Sequence, residues 1–537
     1  MSRLLDQVVA EGLGGDARER YAALLAQAHA LLDREELPAA GRVEAIVPGR
    51  VELVGKHVDY AGGRSLTCPV DRGMVSVSVA THEPALVVHD VVRGEHVTAP
   101  LAHLRLAAAA PRPAWRAYVD AVAQRLAMNF APLSRGATVA LGSTLPPDAG
   151  LSSSTAFTIT LVIALAEANG LPDDERWRWL TEDPLRLAGY CSAIESGADY
   201  AHFPGGGGVG TMSGTQDQCA ILGGSASMVD QFAYRPERRE DRMAWPSAWA
   251  LLVAESGVVA AKGGGAQQSY NRAARVTARL VATWNARAAM PVTTLREVIA
   301  GGSEFESLAA AAETEEFPES LLRARLAQFD QECRIVVPTV ARAIEAADPG
   351  RLARGVAHSV AGAVWALENQ VPETLALTQL AVSAGAWCAS PFGAGFGGSV
   401  WAIAPRAEAE SIAADWRSAY VETGSTSGAG VRDATESWGA VGARGGIASV
   451  QAQSELTGVL TMVTMSKSQL TARLLEFLRQ VETCGVDLVV TDRGVPVARI
   501  VPFCERRPVD GVFADLRGKL RWTGDLDAPT IHAWPDP

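Results

Sequence analysis

The order of apolar and polar positions predicts a long body of alternating strands and helices. Apolar side chains recur at helical spacing from about residue 16 to 34, which predicts an amphipathic helix. The segments VEAIVPGRVELV and MVSVSVA alternate or are rich in β-branched residues, and they predict strands. AFTITLVIALAEANG predicts a long helix that ends just before Gly170. The region from Ala273 to about Ala347 is rich in Ala, Leu and Glu and predicts further helices.

A second pattern begins near the C-terminus. Residues 421–461 are rich in Gly, Ser and Ala without a sustained apolar period, which predicts a flexible linker. From about Met462 the chain reads as a short β start, a helix (SQLTARLLEFLRQVE) and two short strands around a turn at residues 492–494. We therefore expect a large α/β body, a linker and a small separate module at residues 462–537.

Composition narrows the functional classes. The 537 residues are 48% hydrophobic, which is enough apolar material for several cores, and no run approaches the roughly 18 apolar residues that span a membrane. The first twenty residues lack a basic segment followed by an apolar one, so we expect no signal peptide and no membrane partner. The seven cysteines are scattered singly, which favours reduced thiols in a cytoplasmic protein. The net charge of −12 argues against nucleic acid as partner of the whole chain, though not of one segment.

The clearest chemical signal is LPPDAGLSSSTAF, directly before the long helix. Gly150 permits a close backbone approach, and the serines that follow supply hydroxyl groups. Free N–H groups and the dipole at a helix N-terminus favour a phosphate anion, and a serine hydroxyl can reach the Mg²⁺ that accompanies a nucleotide. An ordinary Ser-capped helix is the alternative explanation. The segment lacks GxxxxGK[ST], so it is not a Walker-type loop.

Two further glycine-rich stretches flank this loop in the sequence. VPGRVELVGKHVDYAGG precedes it, and PFGAGFGGSVWAIAP follows with a predicted closing strand. The glycines of GAGFGG suit a backbone that passes close to a ligand or to another loop. Three such stretches in this order resemble the GHMP kinase superfamily, and the first two resemble galactokinases in particular. QQSYNRAARV, GTQDQCAILGG and NQVPETLALTQLA extend the resemblance, which covers about residues 16–420.

The resemblance implies a fold class and domain boundaries. The expected fold is α+β, the two-domain GHMP kinase fold followed by a small α/β module. A ribosomal-protein-S5-like N-terminal domain would occupy residues 1–240, and a ferredoxin-like C-terminal domain would occupy residues 241–420.

The resemblance also implies an activity, namely transfer of the ATP γ-phosphate to the anomeric hydroxyl of galactose, a related hexose or a uronic acid. Asp217 matches the base, and Arg50 matches the cation beside it. The positions implied for sugar binding are Lys56, His57, Asp59, Tyr60 and Tyr270. The positions implied for ATP are Gly150, Leu151, Ser152, Ser153, Ser154, Gly395 and Gly397, and those for Mg²⁺ are Ser154 and Glu195. Outside these motifs, each residue would more often be structural.

Four departures from the galactokinase pattern bear on activity. Lys56 stands where the family has Glu, so substrate choice should change: the lysine could pair with a carboxylate, as in a uronic acid, or point into solvent. The loop between Glu195 and Asp217 is longer and should reshape the acceptor pocket. Asp148 adds negative charge near the phosphates. The family's last strand is missing after Tyr420.

The C-terminal module resembles a prevent-host-death type of antitoxin in its order of elements and in TDRGxPVAxIVP. This implies a dimer through residues 462–537, operator DNA as a partner of the folded half and a cognate toxin as a partner of the tail. A generic small α/β module is the plain alternative. For the whole chain, a catalytically weak sugar-sensing regulator and an accidental join of two genes remain open beside the kinase hypothesis.

Overall fold

The computed structural model describes residues 4–6, 15–101, 115–146, 149–258, 265–301, 305–422, 462–466, 487–492 and 495–500. The chain divides into two units, residues 1–459 and 460–537. The predicted linker from residue 423 onward, the helix SQLTARLLEFLRQVE and the tail lie outside the described residues, whereas linker residues 421–422 end a helix.

The first part of the larger unit builds one sheet of seven strands and the helices on it. Its elements are α1 (Gly15–Arg34), β1 (Val43–Val54), β2 (Arg64–Thr81), β3 (Ala85–Asp90), β4 (Glu95–Pro100), α2 (Arg116–Asn129), β5 (Gly136–Ser143), α3 (Ser153–Ala168), α4 (Glu175–Thr181), α5 (Pro184–Ser196), α6 (Gln216–Gly223), β6 (Met228–Ala233) and β7 (Arg238–Ala244). The strand order is β4-β3-β5-β2-β6-β7, with β1 paired to β2. Only the β3–β5 pair is parallel among these strands.

Three sequence predictions are confirmed here. The amphipathic helix is α1, the two β-rich segments lie in β1 and β2, and the long helix is α3, with Gly170 left-handed just beyond its end. Strand β2 is longer than the predicted segment because its two halves have different partners. Its first residues pair with β6, and its second half pairs with β5.

The second part of this unit is mostly helical around a three-stranded antiparallel sheet of order β8-β10-β9. Its elements are β8 (Trp249–Glu255), α7 (Gly265–Asn285), α8 (Leu295–Ala300), α9 (Phe305–Ala312), α10 (Glu319–Gln331), α11 (Val337–Glu345), α12 (Pro349–Gly362), α13 (Pro372–Ser383), β9 (Cys388–Pro391), β10 (Ser399–Pro405) and α14 (Ala409–Glu422). The predicted helices after residue 273 and the predicted closing strand, now β10, are confirmed. The expected domain boundary at residues 240/241 falls inside β7, because pairing with β6 extends that strand to Ala244.

The two parts share one core, which fixes β1 against the second sheet. The largest apolar cluster joins side chains of β1, α3, α11 and β10. Trp401 of β10 is fully buried, and its indole Nε1 donates to the backbone oxygen of Glu52 in β1 at 2.9 Å. The first glycine motif therefore lies at the junction of the two sheets.

The smaller unit is described by three strands only: β11 (Met462–Ser466), β12 (Asp487–Asp492) and β13 (Val495–Ile500). Strand β11 is parallel to β12, and β12 is antiparallel to β13. The β start and the two strands of the predicted hairpin are thereby confirmed.

The cysteines of the described residues are free thiols, as their scattered positions in the sequence predict. The five cysteines among the described residues are buried and form no disulfide. Within the described part of the chain, no helix has the length and apolar character that crossing a membrane requires.

The loop between β9 and β10 packs its glycines against other backbone segments. A Cβ atom on Gly395, whose φ is +80°, would lie 2.3 Å from the backbone oxygen of Asn369. A Cβ on Gly397 would lie 2.6 Å from the backbone oxygen of Val258, and one on Gly393 would lie 3.2 Å from that of Gly150. The sequence left two explanations for these glycines, close approach to a ligand or to another loop. The contacts document close approach to other backbone segments.

We expect Gly395→Ala to destabilise the protein more than Gly94→Ala does. Both glycines have positive φ (+80° and +70°), but a Cβ on Gly94 would have no neighbour within 4 Å. The two variants share the conformational cost of about 1–2 kcal/mol for a left-handed residue, and only Gly395→Ala adds an overpacking cost of about 1–3 kcal/mol. Urea unfolding of both variants measures the difference, and equal losses would contradict the packing argument.

Candidate active site

An ion pair between Arg50 and Asp217 joins the first glycine motif to the start of α6. Arg50 is buried and directly follows a register shift in the pairing of β1 with β2. Its Nε and Nη2 both donate to Oδ1 of Asp217, at 2.8 and 2.5 Å. Burial alone would lower the pKa of Arg50, but the carboxylates of Asp217 and Glu52 raise it above its ordinary value. The arginine is therefore a permanent cation that holds one oxygen of Asp217.

The same arginine reaches the loop that opens α3. Its Nη1 donates to the backbone oxygen of Gly150 at 2.6 Å, and its backbone N–H donates to that of Leu151 at 3.2 Å. The side chain of Asp217 keeps 23% of its surface exposed, whereas that of Arg50 keeps 5%. The accessible carboxylate of this cluster thus lies beside the predicted phosphate loop.

The start of α3 is not an ordinary Ser-capped helix, so that alternative is wrong. Ser152 occupies the N-cap position with a left-handed backbone (φ +63°), and its side chain makes no capping hydrogen bond. Its Oγ is buried without a hydrogen-bond partner among the described residues. Ser153 and Ser154 are the first two helical residues. Backbone N–H groups and a hydroxyl at this end of a 16-residue helix suit an anion.

Asp59 lies next to this pair through the residue that precedes Asp217. Its Oδ2 accepts the backbone N–H of Gln216 at 3.3 Å, and a Cβ on Gly214 would lie 2.5 Å from the same oxygen. Burial raises the pKa of Asp59 to about 6; hydrogen bonds from two backbone N–H groups oppose the shift, and the Asp217 carboxylate adds to it. The site thus holds two neighbouring carboxyl groups with different environments.

Lys56 lies in the interior, so of the two alternatives for this residue, the one in which it points into solvent is wrong. The residue is 2% exposed. Its Nζ donates to Glu52 Oε1 at 3.3 Å and to the backbone oxygen of Pro391 at 2.5 Å. The lysine charge is therefore met by a carboxylate of the protein itself.

His57 and Tyr60 are also buried, and they bond to each other. His57 Nδ1 lies 3.1 Å from Tyr60 Oη, and Nε2 lies 3.3 Å from the backbone oxygen of Ala394 in the β9–β10 loop. Arg325 donates to the backbone oxygen of His57 at 2.6 Å. Burial, together with the nearby Arg325, lowers the pKa of His57 to about 3, so the ring is neutral. Their predicted contact with a sugar stays a prediction.

The remaining predicted positions are spread over several elements. Glu195 is buried in the last turn of α5. The longer loop after it folds back, because Val209 donates to the backbone oxygen of Glu195 and Tyr200 exchanges backbone hydrogen bonds with Phe203. Tyr270 lies on α7, but its side chain lies outside the described residues, as does Asp148. The described residues contain no group of three or more His, Cys, Asp or Glu side chains that could hold a metal by themselves.

Sequence reasoning missed five buried polar residues around the first motif: Glu52, Gln216, Arg325, Glu332 and Asn369. Glu332 Oε1 accepts the backbone N–H groups of Gly55 and Lys56, at 2.8 and 3.2 Å, and Asn369 Nδ2 lies 3.2 Å from His57 Nε2. Gln216 and Asn369 stand in segments that resemble the family, so a signal for them existed. The helical pattern around Arg325 and Glu332 carried none.

Comparison with known proteins agrees with this geometry. Residues 38–78 match the galactokinase galactose-binding signature, and residues 117–225 match the GHMP kinase N-terminal domain. The galactokinase of Streptomyces coelicolor is 33% identical over 126 residues, which cover 23% of this chain and 31% of that protein. The galactokinase of Roseiflexus sp. is 27% identical over 379 residues, which cover 70% of this chain and 86% of that protein. The matched segments span only 31% to 42% of the length of the Streptomyces protein and of three Lacticaseibacillus galactokinases.

The fold has a solved counterpart. The crystal structure of Lactococcus lactis galactokinase complexed with galactose superposes with a TM-score of 0.61 at 18% identity, over 74% of this chain and 94% of that one. The body of the chain therefore has the GHMP kinase fold with mixed α/β content. Two segments of the chain are thus similar to GHMP kinases, the first of them to galactokinases in particular, and the curated relatives named above are galactokinases.

The burial of Asp59 predicts a pH-dependent gain in stability for Asp59→Asn. A folded-state pKa of about 6 lies above the ordinary value of 3.8, so the charged carboxylate costs folding free energy at high pH, and this cost disappears as the pH falls towards 4. We expect Asp59→Asn to exceed the wild type in unfolding free energy by on the order of 2 kcal/mol at pH 8, with the gain shrinking below pH 6.

Unfolding by denaturant at pH 4.5, 6 and 8 measures this gain, and Asp173→Asn, at an exposed position, is the control. A constant difference between Asp59→Asn and wild type across this range would contradict the assignment.

Proposed function

We propose that the body of this chain is an ATP-dependent sugar kinase that phosphorylates the anomeric oxygen of a monosaccharide. The observation that carries the proposal is the Arg50 guanidinium, which bonds Asp217 with two nitrogens and Gly150 with the third. One side chain thus joins a candidate base to the loop at the start of α3. Positioning and electrostatic stabilisation of this kind supply most of the catalysis in phosphoryl transfer.

Each protein group has a part in this reaction. Asp217 would accept the proton of the anomeric hydroxyl, and Arg50 would keep that carboxylate ionised and oriented. Asp59 would accept hydrogen bonds from sugar hydroxyls, and Lys56, His57, Tyr60 and Tyr270 are the further acceptor-side positions.

The residues at the start of α3 fit a nucleotide. The unpartnered Oγ of Ser152 and the missing side-chain cap leave polar groups suited to phosphate oxygens. Gly150 to Ser154, with Gly395 and Gly397, would hold ATP, and Ser154 and Glu195 would hold Mg²⁺ together with phosphate oxygens. ATP would supply the phosphoryl group, and Mg²⁺ would offset the charge of its phosphates.

The acceptor proposed is galactose, a related hexose or a uronic acid. The galactose-binding signature at residues 38–78 supports a sugar, and it contains Lys56 and its partner Glu52. The alternative of a catalytically weak regulator relied on Asp148, which lies outside the described residues, and on a missing last strand after Tyr420, where the described residues end at 422. The Arg50–Asp217 pair favours catalysis.

We expect Asp217→Asn to lower kcat by at least about 100-fold with little change in ATP affinity, because a positioned base is lost while its shape is kept. ATP consumption of the purified full chain, measured against a panel of neutral sugars and uronic acids, provides the assay. Asp174→Asn serves as control, since Asp174 also pairs with an arginine at a helix start but is the N-cap of α4, a different helix from the one that carries Asp217. Near-normal turnover of Asp217→Asn would show that another group is the base.

For residues 462–537 we propose an antitoxin-like module that dimerises and binds operator DNA and a cognate toxin. The parallel β11–β12 pair and the β12–β13 hairpin support this order of elements. A chain of roughly 75 residues can form only a small apolar core, so a second copy would stabilise the module.

Expressed alone, residues 458–537 should form a dimer by light scattering. They should also retard DNA less strongly as salt rises, because phosphate contacts release counterions. A monomer without salt-sensitive DNA binding would contradict the antitoxin proposal.

A further inference from the structure

Three buried side chains form a closed network beneath the candidate site. Glu52, Lys56 and Gln216 are 3%, 2% and 5% exposed. Each carboxylate oxygen of Glu52 has its own donor: Lys56 Nζ lies 3.3 Å from Oε1, and Gln216 Nε2 lies 3.0 Å from Oε2. Glu52 itself is held by the indole of Trp401, which donates to its backbone oxygen at 2.9 Å. A buried carboxylate needs such partners, because its desolvation costs several kcal/mol otherwise.

The network reaches the two carboxylates of the site through Gln216. This residue is the first of α6, it directly precedes Asp217, and its backbone N–H donates to Asp59 Oδ2. The side chain of Gln216, bonded to Glu52, therefore anchors the N-terminal end of α6. This is the end that carries Asp217 and that contacts Asp59. The opposite end of α6 has a separate anchor, because Arg239 and Arg242 both donate to the backbone oxygen of Gly223.

On the other side, the network reaches the last residue of β9 through Lys56. The ammonium group donates to the backbone oxygen of Pro391 as well as to Glu52. With its charge met by Glu52 and its surface buried, Lys56 lacks the accessible positive charge that recognition of an acceptor carboxylate requires.

We propose that Glu52 and Gln216 are positioning residues that hold Asp217 and Asp59 in register, and that Lys56 is the counter-charge of Glu52 rather than a ligand for an acceptor carboxylate. This inference rests on the proposed kinase function. Among the acceptors that the sequence left open, it favours a neutral sugar over a uronic acid. It also explains why Lys56 can replace the glutamate of the family: the lysine neutralises Glu52 inside the protein.

The test compares Glu52→Gln, Gln216→Leu, Lys56→Met and the double variant Glu52→Gln/Lys56→Met in the full chain, at a temperature where all are folded. Glu52→Gln keeps the shape but turns one acceptor into a donor that faces Gln216, and Gln216→Leu removes the link without changing charge. We expect both to lower kcat by about 10- to 100-fold with KM for ATP unchanged. Glu240→Gln is the control: it removes a partly buried carboxylate on β7 that pairs with Arg64 and Arg238, away from α6, so it should lower Tm and leave kcat unchanged.

The double variant separates the role of Lys56 from that of Glu52. It should recover Tm lost by Lys56→Met, because removing both charges of a buried pair costs less than removing one, but it should not recover kcat. Lys56→Met should reduce turnover of neutral hexoses and hexuronic acids by the same factor. A loss of turnover confined to hexuronic acids would overturn the assignment of Lys56. A normal kcat in Glu52→Gln and Gln216→Leu would overturn the positioning role and leave the network with a purely structural one.

A failure of the kinase proposal itself would look different. In that case the wild type consumes no ATP with any sugar of the panel, while the Tm values of the single and double variants still report whether Glu52 and Lys56 are coupled. Additive losses of Tm would show that the pair does not interact and would overturn the inference independently of activity.

Discussion

Strand β1 is buried along almost its whole length, and it nevertheless carries charged side chains. Ten consecutive residues, from Ala45 to Val54, are buried. A charge in such a strand must find a partner inside the protein, because the cost of leaving it unpaired exceeds the stability that a typical domain can spare. Arg50 finds Asp217, and Glu52 finds Lys56 and Gln216. The positions of α6, of the α3 loop and of the β9–β10 loop all follow from these pairings.

The glycine-rich loops make those pairings possible. The β9–β10 loop approaches Asn369 and Val258 so closely that a Cβ atom would clash, and it also lies close to Gly150. His57 reaches a backbone oxygen of this loop, and Lys56 reaches that of Pro391 at the end of β9. The three motifs, far apart in the chain, thereby meet at one place. Contact between the motifs is thus part of the fold. The loops proposed to bind a nucleotide are already in contact with each other.

The site also has a thermodynamic cost. The carboxyl group of Asp59 has a pKa of about 6, and His57 is neutral with φ of +55°. Burying these groups and holding this backbone conformation costs folding free energy that the same residues would not cost at the surface. Their retention next to the Arg50–Asp217 pair is typical of a functional site, where polar groups are held out of water for chemistry. Glu332 and Arg325 offset part of this cost by bonding the backbone of residues 55–57.

The sequence by itself determined the local elements and the identity of the motifs. Helical and alternating periodicity located α1, β1, α3 and β10, since these patterns depend only on neighbours along the chain. The motifs also pointed to Arg50 and Asp217 as partners before their contact was known. What tertiary structure alone decided was the set of side-chain partners. Lys56 could have faced a substrate, solvent or a carboxylate, and only the folded chain places it on Glu52. Ser152 could have capped α3, and Arg325 and Glu332 belonged to helices with no chemical signal. Lys56 and Glu52 are only four residues apart, but distant segments such as the one that contains Pro391 bury the pair, and local pattern carries no information about those segments.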